Sequence, residues 1–239
     1  MRLVKLDAID STNDFLKSLS QQENVENFTV VSAENQTKGK GQMGAVWNSE
    51  AGKNLIMSML VKEVLVDVHA IFRLNVIVAL SVIEVLQKHV IPKPSVKWPN
   101  DIMSGNKKVG GILIENSIKT GGIQSIIGLG LNVNQTNFDH LPQASSLALV
   151  SEKVFDKEGL LVEIAEAIER NIPQISSKKL WGNYISNLFR IGIPTPFEKP
   201  AGEKFMAIID GVEADGKIRL KLEDDSFETY GIKEIKMLF

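Results

Sequence analysis

The chain of 239 residues contains no cysteine and only three histidines. Without a thiol it can form neither disulfides nor thiolate metal sites, and it has no cysteine nucleophile. His69, His89 and His140 show no metal-ligand spacing, and no Gly-x-Ser-x-Gly elbow occurs, which argues against histidine-based catalysis. The absence of cysteine also fits a reducing compartment, and a cytoplasmic location is expected.

The chain also lacks a surplus of either charge and a long uncharged apolar run. Lys and Arg total 27 against 29 Asp and Glu, for a net charge of −2, so a dedicated duplex-binding surface is not expected. The most hydrophobic stretch, residues 71–90, carries Arg73, Glu84 and Lys88, whereas a membrane span of about 20 residues tolerates few charges. We therefore expect a buried helix there and no membrane partner.

Apolar residues make up 44% of the chain, which is enough for a hydrophobic core. Their spacing predicts helices over 12–21, 70–88, 160–172 and 178–189, and strands over 3–6, 28–33, 55–61, 95–98, 111–115 and 125–133. Gly and Pro cluster over 192–202 and indicate a domain boundary. Short strands predicted beyond it, over 205–210, 218–222, 227–230 and 235–238, suggest a small barrel. The predicted domains are residues 1–190 and 191–239.

Residues 34–54 are rich in glycine and predict a long loop. Gly39 and Gly41 let backbone amides approach a ligand, and Lys38 and Lys40 add positive charge, so the loop suits a phosphate or a carboxylate. It matches neither a P-loop nor a dinucleotide fingerprint. A flexible surface loop is an equal alternative from the glycines alone. Trp47 favours a ligand site slightly, because an aromatic residue there anchors the loop or stacks on something flat.

Four further segments are rich in polar side chains, three of them together with glycines or cations, and each also has a purely structural explanation. Residues 10–13 (Asp-Ser-Thr-Asn) form a helix cap, 97–101 (Lys-Trp-Pro-Asn-Asp) a turn after a strand, 106–115 a hairpin with solvated lysines, and 128–134 a strand with a glycine bulge. The turn does not explain a cation at Lys97 beside Trp98. Lys108, close before the Gly110-Gly111 pair, could equally reach a phosphate.

Taken in order, these five segments resemble the biotin protein ligase family, and the resemblance covers most of the chain. Its most specific part is the Lys-Trp-Pro-Asn-Asp block at 97–101 with a glycine-rich loop upstream. The resemblance implies an α+β fold: a mixed β-sheet with flanking helices, like that of class II aminoacyl-tRNA synthetases and biotin ligases, followed by a small C-terminal SH3-like β-barrel.

The implied activity is that of an ATP-dependent biotin–[acetyl-CoA-carboxylase] ligase. In this family the carboxylate of biotin attacks the α-phosphate of ATP, giving biotinyl-5′-AMP and pyrophosphate, and a lysine of a biotin carboxyl carrier protein then takes the biotinyl group. Biotin, ATP and Mg²⁺ are the expected cofactors, with no protein ligands predicted for a metal. Because Ser11 follows only ten residues, we expect a monofunctional form with no DNA-binding domain. A homodimer is compatible with the family.

By motif position, the resemblance assigns catalysis to Lys108, Asp101 and Lys40. Cations would neutralise the two reacting anions, and Asp101 would place the incoming lysine. The biotin-binding set, in which Gly128 and Gly130 would admit the valeryl tail, is Ser11, Thr12, Asn13, Gln36, Gly39, Lys40, Trp47, Lys108, Gly111, Gly128 and Gly130. The set for ATP or the adenylate is Lys40, Gln42, Lys97, Asn100, Lys108 and Asn132, with 134–146 as a loop beside it.

The sequence departs from the family where the glycine-rich loop usually carries arginines. Lys40, Gln42 and Met43 stand there, and none can form the bidentate contact that arginine makes to phosphate. Either Lys38 and Lys53 compensate or the adenylate is held more loosely. Two other functions stay open: a lipoate ligase or octanoyltransferase on the same scaffold, although this loop lacks the histidine expected of one, and a non-catalytic biotin sensor.

Overall fold

The computed structural model describes residues 1–65, 71–119 and 122–239. His69 and Ala70, the latter being the predicted first residue of the second helix, lie outside the described residues. Seven strands form a mixed sheet in the order β1-β2-β3-β7-β6-β5-β4. Their bounds are β1 Leu3–Ile9, β2 Val30–Gln36, β3 Leu55–Leu65, β4 Pro94–Lys97, β5 Asp101–Ser104, β6 Lys107–Lys119 and β7 Gly122–Leu131. β1 and β2 pair in parallel, and the other neighbours pair antiparallel.

Helices cover both faces of this sheet. They are α1 Thr12–Gln22, α2 Ile71–Lys88, α3 Leu147–Ser151, α4 Lys157–Asn171 and α5 Lys178–Ser186. Alternate residues of β3 point to opposite faces, so Met59 joins the large core under α2 and α4, whereas Leu60 joins a smaller core under α1. Ser11 caps α1 by accepting a hydrogen bond from the Asp14 amide, which confirms the predicted cap.

A second sheet of five antiparallel strands follows, in the order β11-β10-β9-β8-β12. Its strands are β8 Pro194–Glu198, β9 Lys204–Val212, β10 Ile218–Leu222, β11 Phe227–Tyr230 and β12 Lys236–Met237. The sheet is open, with β11 and β12 at its edges, so closure into an SH3-like barrel stays a prediction. A hydrogen bond between two turns links it to the first sheet: the indole Nε1 of Trp98, in the turn between β4 and β5, donates to the carbonyl of Gly216, in the turn between β9 and β10, at 2.8 Å.

The predicted long helices and most strands are confirmed, with differences at short elements. Sequence reasoning missed β5, α3 and β8, and it ended α5 at 189 rather than at Ser186. β5 has only four residues and begins at Asp101, directly after the cis Trp98–Pro99 bond and the turn. A four-residue strand shows too few alternations to stand out from the turn before it. Within the described ranges, no helix is long and apolar enough to cross a membrane.

Candidate active site

A cavity of about 260 Å³ lies on the α1 face of the first sheet, beneath the glycine-rich loop. α1 contributes its first turn, β3, β6 and β7 contribute the floor, and the loop contributes the cover. The cavity brings together most of the predicted site residues: Ser11, Thr12, Asn13, Gln36, Lys40, Gln42, Trp47, Asn100, Asp101, Lys108, Gly111, Gly128 and Gly130.

The loop over this cavity is folded back on itself. The Trp47 amide donates to the Gly39 carbonyl at 2.9 Å, and the Gly41 amide donates to the Ala45 carbonyl at 2.7 Å. A Cβ on Gly39 would lie 2.3 Å from the Trp47 carbonyl oxygen, so a side chain there would block this closure. Gly39 does not line the cavity itself and acts by positioning Trp47.

Trp47 packs against the cavity floor at a point where two neighbouring strands both carry glycine. Gly111 and Gly130 are paired across β6 and β7. A Cβ on Gly130 would lie 2.5 Å from Cε2 of the Trp47 ring, whereas one on Gly111 would lie 3.6 Å from Cζ3. The Trp47 Nε1 is buried and has no hydrogen-bond partner among the described residues. A buried donor without a partner is uncommon, and this one can serve a ligand oxygen.

Gly128 also makes room for a protein side chain. A Cβ there would lie 2.5 Å from Oδ1 of Asn13. In this structure Asn13 and Trp47 therefore fill the space above Gly128 and Gly130 that the resemblance reserves for the valeryl tail. The tail's position against these glycines stays a prediction.

One end of the cavity is a buried polar network. The Thr12 amide and hydroxyl lie 2.8 and 3.0 Å from Oε1 of Gln36. The Ser58 hydroxyl lies 2.8 Å from the Thr12 hydroxyl and 2.6 Å from Asn13 Oδ1. The Asn13 amide nitrogen donates to Glu115 at 2.8 Å. Sequence reasoning did not assign Ser58 or Glu115 to the site. A single serine inside the apolar strand 55–61 was the available signal.

The other end of the cavity is charged. Asp101 accepts from two ammonium groups, with Lys108 Nζ 2.5 Å from Oδ1 and Lys97 Nζ 3.3 Å from Oδ2. The side chains of Lys97 and Asp101 are only 17% and 16% exposed, so water screens this cluster less than a surface pair. The Asn100 amide nitrogen donates to the Ile112 carbonyl at 2.7 Å and so holds the turn before Asp101 against β6.

Lys40 lies apart from that cluster. Its ammonium donates to Asp14 of α1 at 2.6 Å, and this hydrogen bond raises the pKa of Lys40 above its usual value. Lys38 pairs likewise with Asp10 at 2.8 Å and does not line the cavity. Gln42 reaches the cavity, whereas Met43 is exposed at the tip of the loop with φ of +60°.

A second cavity of about 590 Å³ adjoins the first and shares four lining residues with it: Val46, Trp47, Asp101 and Lys108. Lys97 and Asn132 line only this second cavity. Asn132 Nδ2 donates to the Ser145 carbonyl at 3.0 Å, which holds the loop after β7. The Lys97 ammonium lies 4.8 Å from the centroid of the Phe239 ring. Two ligands in adjoining cavities would meet beside Trp47, Asp101 and Lys108.

The family model for the biotin/lipoate A/B protein ligase family matches residues 6–132, a span that contains every predicted site residue. The chain belongs to this family. It is therefore a ligase. The bifunctional ligase/repressor BirA of Bacillus spizizenii is 28% identical to it over 245 residues, which cover 98% of this chain and 71% of that protein.

Other relatives of this ligase agree with that assignment. The biotin–[acetyl-CoA-carboxylase] ligase of Mycobacterium tuberculosis is 28% identical over 196 residues, covering 80% of this chain and 72% of that protein. The structure of the biotin protein ligase from Aquifex aeolicus in complex with biotin and ATP superposes with a TM-score of 0.82 and 26% identity, covering 99% of this chain and 98% of that one. The mixed α+β fold expected from the sequence is thereby confirmed.

Proposed function

We propose that this ligase activates biotin with ATP and transfers it to a lysine of a biotin carboxyl carrier protein of acetyl-CoA carboxylase. The observation that carries this proposal is the pair of adjoining cavities with Trp47, Asp101 and Lys108 between them. Its support among relatives is the Aquifex ligase, which is described with biotin and ATP, and the Mycobacterium ligase, which is named for acetyl-CoA carboxylase.

The first cavity suits biotin better than lipoate. Thr12, Asn13 and Gln36 present hydrogen-bonding groups at one end, and the floor between the two ends has apolar side chains in Ile56 and Leu113. The ureido ring of biotin can pair with those groups, whereas the dithiolane ring of lipoate offers no N–H or carbonyl. An analogue that leaves buried polar groups unpaired is rejected strongly.

In the first step, a carboxylate oxygen of biotin forms a bond to the α-phosphorus of ATP, and the bond to pyrophosphate breaks. The reaction brings two anions together, so preorganised cations lower its barrier. Lys108 reaches both cavities and is proposed to bridge the two anions, while the buried Trp47 Nε1 donates to one of their oxygens. Lys97 lines the second cavity and adds positive charge on the nucleotide side.

In the second step, the carrier lysine must lose a proton before its amine can attack the carbonyl carbon of the mixed anhydride. Asp101 is proposed to hydrogen-bond the incoming ammonium and accept that proton. The new amide bond forms as the bond to AMP breaks. The first proton stays on the Asp101 carboxyl until water takes it up, and the second proton of the nitrogen passes to the departing phosphate of AMP. The folded loop over the cavity would keep water from the adenylate.

The described Asp, Glu and His side chains do not fit a metal site formed by the protein alone. In residues 1–65, 71–119 and 122–239, no group of three or more Asp, Glu or His side chains could hold an ion. Asp101 is already paired with two ammonium groups. We propose that Mg²⁺ enters together with ATP and that this chain supplies no dedicated ligands for it.

We propose that residues 191–239 form an SH3-like domain, supported by their own five-stranded sheet. The buried residues of this sheet, such as Phe197 and Leu220, are continuous with the core of the first sheet. The ligase is proposed to act in the cytoplasm without a DNA partner. A homodimer is proposed to form through β1, because the outer edge of β4 already pairs with residues 187–189 through the backbone of Val96.

One incubation tests the main proposal. The ligase is mixed with Mg-ATP, an apo carrier domain and either biotin or lipoate, and the carrier is weighed intact by mass spectrometry while pyrophosphate is measured. A biotinyl adduct with no lipoyl adduct is expected. A lipoyl adduct would identify a lipoate ligase, and biotin binding without pyrophosphate release would identify a sensor.

A further inference from the structure

We infer that Glu115 is a positioning residue that fixes the direction of the hydrogen bonds in the buried polar network at one end of the first cavity, and so makes the Thr12 hydroxyl an acceptor for a ligand N–H. This inference rests on the proposed function, since the N–H groups in question are those of the biotin ureido ring. It concerns a side chain that does not line the cavity and acts through Asn13 and Ser58.

Strand register brings the members of this network together. Gly128 is paired with Ser58 on one side and with Leu113 on the other, and Glu115 follows two residues later on the same face as Leu113. The missing side chain of Gly128 leaves the space that Asn13 fills. Asn13 therefore lies between Glu115 and Ser58, within hydrogen-bond distance of both.

The charge of Glu115 determines which way the Asn13 amide points. An ionised carboxylate can only accept hydrogen bonds, so the Nδ2 of Asn13 must face it, at 2.8 Å. The Oδ1 of Asn13 then faces the Ser58 hydroxyl at 2.6 Å. Because Oδ1 can only accept, Ser58 must give its single proton to Asn13.

The same reasoning fixes the direction in which the Thr12 hydroxyl donates its proton. Among the described residues, this hydroxyl has two hydrogen-bonding neighbours, Ser58 Oγ at 2.8 Å and Gln36 Oε1 at 3.0 Å. Ser58 has already used its proton, and Gln36 Oε1 only accepts, so the Thr12 proton points to one of these two. The lone pairs of the Thr12 oxygen stay available on the cavity side. Ser58 is fully buried and Thr12 and Asn13 are 3% and 4% exposed, so water is poorly placed to replace any of these partners.

Without a carboxylate at 115, the direction is no longer fixed. In Glu115→Gln, the new amide can donate to Asn13 Oδ1 as readily as it accepts from Nδ2. If Asn13 turns over, its Nδ2 donates to Ser58, and the Ser58 proton turns to Thr12. Thr12 then accepts a proton from within the protein, which reduces what it can accept from a ligand.

The test is a double-mutant cycle on biotin affinity, measured by titration calorimetry with Glu115→Gln, Thr12→Val and the double variant. We expect Glu115→Gln to weaken biotin binding on the order of tenfold. The same substitution should have little further effect in the Thr12→Val background, because the residue through which Glu115 acts is gone. The control Glu34→Gln, which removes another strand carboxylate paired with Lys157, should leave biotin affinity unchanged.

Two results of this cycle would overturn the inference. An unchanged biotin affinity in Glu115→Gln would show that the Glu115 carboxylate does not control the hydrogen bonds that bind biotin. Additive effects of Glu115→Gln and Thr12→Val would show that it acts by another route. One such route is the charge of Lys40, whose ammonium Glu115 also influences. In that case the coupling would appear with Lys40→Met rather than with Thr12→Val.

A measurement without biotin keeps the inference separate from the proposed function. The side-chain amide protons of Asn13 are followed by NMR hydrogen exchange in the wild type and in Glu115→Ala. Slow exchange in the wild type and fast exchange in the variant are expected, since the variant removes the acceptor. Equal exchange refutes the positioning role. Failure of the wild type to bind biotin, with the exchange difference present, would refute the proposed function alone.

Discussion

The Lys108 ammonium lies 2.5 Å from the Asp101 carboxylate, between the two cavities. The proposed chemistry uses these partners in different steps: Lys108 on the two anions of adenylation and Asp101 on the lysine of transfer. Their pairing keeps both charges neutralised in a half-buried place, and it must give way when either partner engages a ligand. The two steps can therefore be separated by substitution.

Lys108→Ala should slow adenylate formation by on the order of a hundredfold or more, because a preorganised cation is lost. Asp101→Asn should slow transfer from preformed biotinyl-5′-AMP by about 10²-fold or more while changing adenylation by less than about tenfold. Biotin-dependent pyrophosphate exchange measures the first step, and a single-turnover transfer assay measures the second. Lys88→Ala, which removes only a surface pair with Glu163, is the control. Equal losses in both assays for Asp101→Asn would contradict the separation.

Gly130→Ala should impair biotin binding more than Gly111→Ala does, although the two glycines are paired across neighbouring strands. The added methyl at 130 would meet the Trp47 ring at 2.5 Å, whereas the one at 111 would meet it at 3.6 Å, an ordinary contact. We expect the Gly130 variant to lose at least tenfold in biotin affinity through displacement of the ring. Titration calorimetry on both variants measures this. Similar affinities for the two would show that Trp47 does not need its observed position.

Much of the fold follows from local patterns. The apolar spacing over 71–88 is that of a buried helix, and the Ser11 cap fixes where α1 begins. Strand order could not be predicted, because β3 pairs with β7 through contacts that are distant in sequence. β5 was missed because four residues carry too little periodicity.

The candidate site is likewise predictable from local patterns only in part. Glycine-rich and lysine-bearing segments are recognisable one by one, so Lys108 and Asp101 were assigned from their motifs. Ser58 and Glu115 lie in strands whose patterns indicate only a core strand and a hairpin. Their connection runs through Asn13 and depends on the register of three strands, which no local pattern encodes.

Gln42→Arg should slow the release of biotinyl-5′-AMP by about tenfold, because a charge-assisted bidentate contact would replace a neutral one. Gln42 lines the cavity, and the nearby cations Lys40 and Lys38 are already paired with Asp14 and Asp10. A chase of preformed adenylate measures the release rate. Met43→Arg adds the same charge at an exposed position outside the cavity and is the matched control. Equal release rates for the wild type and Gln42→Arg would favour compensation by other lysines.

Tyr184 should make the protein less stable at alkaline pH. Its side chain is fully buried against Phe72 and Trp181, and its hydroxyl has no hydrogen-bond partner among the described residues. Burial raises the pKa of Tyr184 well above its usual value of 10.0. The unfolded chain therefore releases this proton above pH 10, whereas the folded chain retains it. The resulting stability is complete below pH 10 and falls as the pH rises, by about 1.4 kcal/mol at pH 11.

Tyr184→Phe removes only the ionisable hydroxyl of Tyr184. The other of the two tyrosines, Tyr230, remains in both proteins. At pH 7 the variant should be as stable as the wild type or more stable by up to about 1 kcal/mol, because a buried hydroxyl without a partner is lost. Between pH 9 and pH 11 its free energy of unfolding should fall less steeply. Urea denaturation at each pH measures both effects. Parallel declines in the two proteins would mean that the Tyr184 hydroxyl ionises as easily folded as unfolded, which is incompatible with its burial.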